Sequence, residues 1–164
     1  YLPPRAIAQQ GFPRSAVYPL TNAVRVICPI TDPFVKHHGA LGSFVRIYLR
    51  ARLELADVMD VAAAIPGIAL VVDGKSAASR YQMPLDREGD FVAIGDTHTV
   101  IGSSRAEHNL TGLNGHRLRS HGGLSEQIVP FILSHPMNEA YRGLAEARRL
   151  RNFDIFDFAL NGVQ

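Results

Sequence analysis

Between residues 23 and 101, short segments with the apolar content of β-strands alternate with segments whose apolar residues have helical spacing. This alternation limits the possible folds most strongly. Residues 24–28 and 41–49 have the β-branched and aromatic content of strands. Residues 54–65 instead repeat apolar side chains at helical spacing, and a proline-glycine pair ends that helix. Further strands are expected at 68–72, 90–94 and 98–101, with a weak helix at 74–81. The order of these elements predicts a small α+β unit.

Composition indicates a globular protein, with 46% hydrophobic and 20% charged residues. No apolar tract is long enough to cross a membrane as a helix. A net charge of +2 is too balanced to favour nucleic acid or an anionic membrane as a partner. The single cysteine, Cys28, has no partner for an internal disulfide and cannot build a cysteine-based zinc site, so we expect a reducing, cytoplasmic compartment.

The two ends of the chain differ in pattern. Residues 1–22 contain several prolines and no sustained period, which indicates a linker. Residues 128–133 form an apolar run that predicts a buried strand. Residues 152–160 predict a helix that Asn152 could cap and whose shared apolar face consists of Phe153, Phe156 and Leu160.

The histidines are the main candidates for chemistry, although none has metal-ligand spacing by itself. Two of them, His37 and His38, are adjacent on a loop, and surface roles are the simpler interpretation from spacing alone. His121 stands between a polar loop and the predicted strand at 128–133. Two glycines follow it and would leave room for a ligand beside the ring. Nucleotide-binding and zinc-protease motifs are absent from the sequence.

Three stretches together resemble the C-terminal part of phosphonoacetate hydrolase, a family of the alkaline phosphatase superfamily. They are residues 24–44, residues 86–92 and residues 119–127, the last of which contains Arg119-Ser120-His121-Gly122-Gly123. Residues 150–157 are similar to the end of that family's sequences. The resemblance implies the C-terminal portion of an alkaline-phosphatase-like α/β core, to which residues 102–164 return, and a small α+β lid at 23–101.

The same resemblance implies a hydrolase with two zinc ions that cleaves the carbon–phosphorus bond of phosphonoacetate, a small phosphonate, to acetate and phosphate. Metal ions in such reactions activate the nucleophile and hold negative charge. His121 matches the family's last zinc ligand. The loop at 32–39 is expected to face the active-site cleft, with His37 and His38 as candidates for binding substrate.

The chain also departs from the family's pattern. The threonine nucleophile and the other Asp and His ligands have no counterpart here, so we expect a fragment with no catalytic residue of its own and inactive alone. Cations for the substrate carboxylate are expected outside the chain as well. A related phosphodiesterase or phosphatase and a non-catalytic α+β interaction module remain alternatives. The oligomeric state stays open.

Overall fold

The structure, a computed structural model, describes residues 23–30, 38–50, 52–102 and 110–164. The predicted linker at 1–22 lies outside these residues. The chain divides into two compact units, Tyr1–Gln127 and Ile128–Gln164, which are described separately below. No helix in the described ranges is long and apolar enough to cross a membrane.

A four-stranded antiparallel sheet organises the first unit. Its strands are Val24–Ile27 (β1), Phe44–Leu49 (β3), Ile68–Asp73 (β4) and Phe91–Gly95 (β5). They lie in the order β1, β3, β5, β4, and each neighbouring pair is antiparallel. A separate parallel pair joins Ala40–Gly42 (β2) to Arg119–His121 (β6). Mixed α and β structure is therefore confirmed.

Helix α1, Leu55–Ala63, covers one face of this sheet, as its apolar spacing predicts. Val58 and Ala62 are buried in the core, and Leu55 and Met59 pack against it. Side chains alternate between the two faces of a strand, so the β3 residues that meet this core are every second one. They are Val45 and Ile47, both fully buried.

Helix α2, Gly74–Tyr81, follows β4 directly and has the bounds that the sequence predicts. Asp73 caps it by accepting a hydrogen bond from the backbone of Ser76 at 2.9 Å. The hydrogen bonds from Ser76 also lower the pKa of the Asp73 carboxyl. Glycine is required at the first helical position because a Cβ on Gly74 would overlap the carbonyl oxygen of Gly89.

Two predicted strands differ from the structure. The segment at 41–49 forms two strands, because Ser43 leaves one ladder and begins another: its N–H donates to His121 and its carbonyl accepts from Gly95, both at 2.7 Å. The segment at 98–101 is not a strand and contributes only one bridge, from Ile101 to Gly42. The Ser43 hydroxyl donates to the carbonyl of Thr99 at 2.6 Å. This hydrogen bond connects the segment at 98–101 to Ser43, the residue between β2 and β3.

The second unit contains helices α3, Glu139–Ala147, and α4, Asp154–Asn161. The predicted C-terminal helix is present, but its predicted apolar face is wrong. Phe153, Phe156 and Leu160 are exposed, whereas Phe158 is buried. The Phe158 ring makes edge contacts with Phe131 and Tyr141 at centroid distances of 5.4 and 5.0 Å.

Two further predictions for this region need correction. Asn152 does not cap α4, because the cap residue is Phe153, which makes no side-chain capping bond. Residues 128–133 form no strand, and Ile128, Val129 and Ile132 are exposed in the first part of the unit. The predicted division into a lid at 23–101 and a core portion at 102–164 stays a prediction.

Candidate functional site

His121 is the last residue of β6 and is held by the parallel pairing with β2. It lies opposite Gly42, and its carbonyl accepts the hydrogen bond from Ser43. The imidazole is on an exposed residue and has no hydrogen bond to any residue that the structure describes. The strand that ends at His121 therefore fixes its backbone.

The two glycines after His121 lie close to other side chains of the protein. Gly122 has φ of 77°, a left-handed conformation that glycine adopts without strain, and a Cβ there would lie 3.0 Å from Cβ of Phe44. A Cβ on Gly123 would overlap a carboxylate oxygen of Glu126. Gly122 also lines a cleft together with His121, so room for a ligand beside the ring stays a prediction.

The Glu126 side chain packs against the turn that follows His121. One oxygen of its carboxylate accepts hydrogen bonds from the hydroxyls of Ser120 and Ser125, the second at 3.1 Å. The other oxygen is buried without a hydrogen-bond partner among the described residues. A carboxylate held by two hydroxyls next to His121 makes the turn a rigid support for the imidazole.

A cleft of about 370 Å³ opens beside His121 on the sheet face opposite α1. Its volume is in the range of small-molecule sites, roughly 300–1,000 Å³. Most of its lining is apolar, and the polar side chains among the described lining residues are Arg46, Tyr81, His121 and Gln127. Such a lining, with few polar groups, is typical of sites that orient a small ligand.

Arg46 enters the cleft from β3 and is paired with a buried carboxylate. Its Nε lies 2.7 Å from Oε1 of Glu88, whose side chain is only 1% exposed. The guanidinium lies over the Phe44 ring at 5.1 Å from the centroid, and Nη2 contacts Sδ of Met83 at 3.2 Å. Glu88 is buried although it precedes β5 in a short polar segment, and its contact with Arg46 was not predicted from the sequence.

Tyr81, the last residue of α2, brings a further polar group to the cleft. Its ring meets the Phe44 ring edge-on at 6.5 Å. Its hydroxyl is buried and has no hydrogen-bond partner within the described residues. Buried hydroxyls are normally satisfied, so this group marks a place where a ligand oxygen or water would bind favourably.

Neither Arg46 nor Tyr81 was singled out from the sequence as a functional residue. The available signal was the alternation in β3, which puts Arg46 on the face opposite Val45 and Ile47. Arg46 is a charged residue among apolar ones on an inner strand of the sheet. Such a residue indicates that the sheet face it lies on could carry a polar site.

The described residues contain no group of three or more His, Cys, Asp or Glu side chains that could hold a metal ion. His121 fits zinc as one donor, because its imidazole is exposed at a rigid strand end and makes no competing hydrogen bond to the described chain. A zinc ion needs further ligands in addition to this one.

The other candidate residues are not brought to His121. His37 lies outside the described residues. His38 is exposed and precedes β2, so it lies at the opposite end of the parallel pair from His121. It is not among the described residues that line the cleft. The substrate-binding role of His37 and His38 stays a prediction.

Known proteins similar to this chain are phosphonoacetate hydrolases. No protein-family model matches the sequence. A phosphonoacetate hydrolase of Penicillium oxalicum is 50% identical over 52 residues, which make up 30% of this chain and 72% of that protein. The chain belongs to the phosphonoacetate hydrolase family.

Solved structures agree with this assignment. Phosphonoacetate hydrolase of Sinorhizobium meliloti 1021 in complex with phosphonoformate is 43% identical, with a TM-score of 0.64 over 85% of this chain. The complex of that enzyme with phosphonoacetate is 39% identical, with a TM-score of 0.60 over 86% of this chain. The matched region covers 33% of each solved chain, so this chain spans about a third of their length.

Proposed function

We propose that this chain is the C-terminal part of a zinc-dependent hydrolase that cleaves phosphonoacetate to acetate and phosphate. The observation that carries the proposal is the 43% identity to the Sinorhizobium enzyme over 85% of this chain, together with an exposed His121 at the edge of a ligand-sized cleft. In this proposal, the nucleophile and the remaining zinc ligands belong to the other two thirds of the enzyme.

His121 would supply one ligand to a two-zinc site. When bound, zinc ions lower the pKa of the attacking group and neutralise charge on the phosphonate oxygens. The contribution of this chain would be to hold His121 in position. Pairing of β6 with β2 and the Glu126 carboxylate would fix the backbone of His121, so that the imidazole is held in place before the metal binds.

The sheet of the first unit would act as a lid over the substrate, and residues 102–164 would rejoin the α/β core. The cleft fits a lid because its walls are largely apolar and would exclude water from the reacting group. The loop at 32–39, with His37 and His38, is proposed to face the same substrate. Replacing both histidines with alanine should then change KM or kcat, and unchanged values would leave them only a structural role.

The test of the proposal uses the full-length protein that carries this chain. Phosphate release from phosphonoacetate should require zinc, and His121→Ala should remove or weaken one zinc ion and lower activity by at least about a hundredfold. His116→Ala is the matched control, because His116 is also exposed but does not line the cleft. Full activity and zinc content in His121→Ala would contradict the role of His121.

Substrate comparison separates the proposal from its alternatives. Faster hydrolysis of a phosphodiester or phosphate monoester than of phosphonoacetate would favour a related enzyme of the superfamily. Absence of any hydrolysis with zinc present would favour a non-catalytic interaction module.

A further inference from the structure

The parallel pair of β2 and β6 lacks the size of a complete sheet. It has two strands and three residue pairs. Two strands alone are at most marginally stable in water. All-parallel sheets occur almost only where other elements cover both of their faces. The pair therefore has the features of one part of a larger sheet.

Within this pair, β2 is an inner strand. Ala40 and Leu41 are 2% and 0% exposed. Successive side chains of a strand point to opposite faces, so both faces of β2 are covered. Its two edges are also occupied, because β6 lies on one side and the carbonyl of Gly42 accepts from the N–H of Ile101 at 2.7 Å on the other. Any further strand of this sheet would therefore lie beyond β6.

The outer edge of β6 carries a backbone donor and acceptor at Ser120. Toward β2, the N–H of Arg119 donates to the carbonyl of Gly39, and the carbonyl of His121 accepts from the N–H of Ser43, both at 2.7 Å. Alternate residues of a parallel ladder turn their backbone groups to the same neighbour, so the N–H and C=O of Ser120 point away from β2. Neither group has a partner among the described residues.

The surroundings of Ser120 favour a protein partner for these two groups over water. Ser120 is only partly exposed, and backbone groups that lose contact with water need another hydrogen-bond partner. Its own hydroxyl does not serve, because it donates to the Glu126 carboxylate. A strand laid along β6 would satisfy the donor and the acceptor together.

The other described strands are not available for this role. All four belong to the antiparallel sheet, where each has its own neighbours. This chain matches only 33% of the length of the solved phosphonoacetate hydrolases. About two thirds of such a protein then remains to supply the strand.

We infer that a β-strand from the part of the protein outside these 164 residues pairs in parallel with the outer edge of β6. The inference rests on the proposed function, in which this chain is one part of a larger enzyme. The parallel orientation follows from the existing pair, because sheets with only one kind of pairing are over-represented. Ser120 would donate to one carbonyl of the new strand and accept from an N–H two residues later in that strand.

This pairing would align the two parts of the enzyme at His121. The carboxyl ends of parallel strands lie at the same edge of a sheet, and β6 ends at His121. The residues that follow the new strand would therefore lie beside the imidazole. Their distance from it would be set by a backbone ladder, which is more rigid than contacts between side chains on loops.

The experiment observes the Ser120 amide by NMR in the perdeuterated full-length protein. Its hydrogen exchange should be slowed at least about a hundredfold relative to a free peptide, as for the neighbouring amides of Arg119 and His121. Scalar couplings across the hydrogen bonds identify both partners. The carbonyl that accepts from Ser120 should lie outside these 164 residues, and the N–H that donates to Ser120 should lie two residues after it.

Two variants of the full-length protein test the same edge. Ser120→Pro removes the outward N–H, and its ring would occupy the place of the accepting carbonyl. Ser120→Ala is the matched control, because both variants lose the hydroxyl that donates to Glu126 and only the proline loses the N–H. The melting temperature of Ser120→Pro should be lower than that of Ser120→Ala by about 5 °C or more.

Several results would overturn the inference. Rapid exchange of the Ser120 amide, or equal melting temperatures of the two variants, would show that β6 is an open edge, where proline is tolerated. An acceptor within these 164 residues, in the same molecule or in a second copy, would assign the edge to another occupant. A single residue that both accepts from and donates to Ser120 would show antiparallel pairing.

None of these measurements depends on turnover. A full-length protein that shows the parallel partner but does not hydrolyse phosphonoacetate would refute the proposed function and leave the pairing standing. A protein that hydrolyses phosphonoacetate while its Ser120 amide exchanges rapidly would refute the pairing alone.

Discussion

Substitution of Val58 tests the packing of α1 on the sheet quantitatively. Val58 is 2% exposed and belongs to the core between α1 and the strands β3 and β5. Val58→Ala removes two buried carbons, and the lost transfer energy together with the cavity should cost about 2 to 3 kcal/mol. Val58→Thr keeps the shape but buries a hydroxyl, at a cost of about 1 to 3 kcal/mol.

Val58→Asp should cost more than about 4 kcal/mol, because it places an unpaired charge in the core. The matched control is Ala56→Asp, which introduces the same charge at an exposed position of the same helix and should stay within about 0.5 kcal/mol of the parent. Urea unfolding followed by circular dichroism measures both, with midpoint shifts of more than about 1 M for Val58→Asp. Equal stability of the two Asp variants would show that the Val58 face of α1 is not packed.

Three other outcomes are expected. Gly123→Ala should displace the turn beside His121, the proposed zinc ligand, because its Cβ would overlap the Glu126 carboxylate. Full-length protein should then lose zinc affinity while its thermal stability changes little, and unchanged affinity would contradict this. The hydrogen bonds from Arg148 and from a backbone N–H lower the pKa of Asp154 to about 2, so their stabilising effect is present above about pH 4 and lost as the pH falls through 2; an NMR titration in which Arg148→Ala left this midpoint unmoved would refute the assignment. Phe158→Ala should cost about 3 to 5 kcal/mol in the second unit and increase hydrogen exchange in α3 and α4, whereas unchanged exchange would show that Phe158 is not its core.

Sequence reasoning was most successful where one local signal decides the structure. Helical spacing and a following proline predicted α1, and the helix predicted at 74–81 is present with those bounds. The break at Ser43 could not be predicted, because it depends on hydrogen bonds to residues far along the chain. The apolar content of residues 41–49 is the same for one strand or for two.

For the candidate site, too, the local features could be predicted from the sequence and the contacts between distant residues could not. The family resemblance identified His121 as a candidate, and the stretch around it is specific enough to do so from sequence. The close packing of its two glycines could not be predicted, because a glycine that avoids Phe44 and one that makes room for a ligand are identical in sequence. The pairing of Arg46 with Glu88 joins two segments through a side-chain contact that has no local pattern.

The short parallel pair of β2 and β6 has a consequence for the folding of this chain. Its three residue pairs join strands between which β3, α1, β4, α2 and β5 are formed. Closing so long a loop costs entropy that three pairs repay only weakly, and contacts between distant residues form slowly. We therefore expect the antiparallel sheet to form first and β6 to pair with β2 last. The position of His121 at the end of β6 would then be acquired in the final step of folding of the first unit.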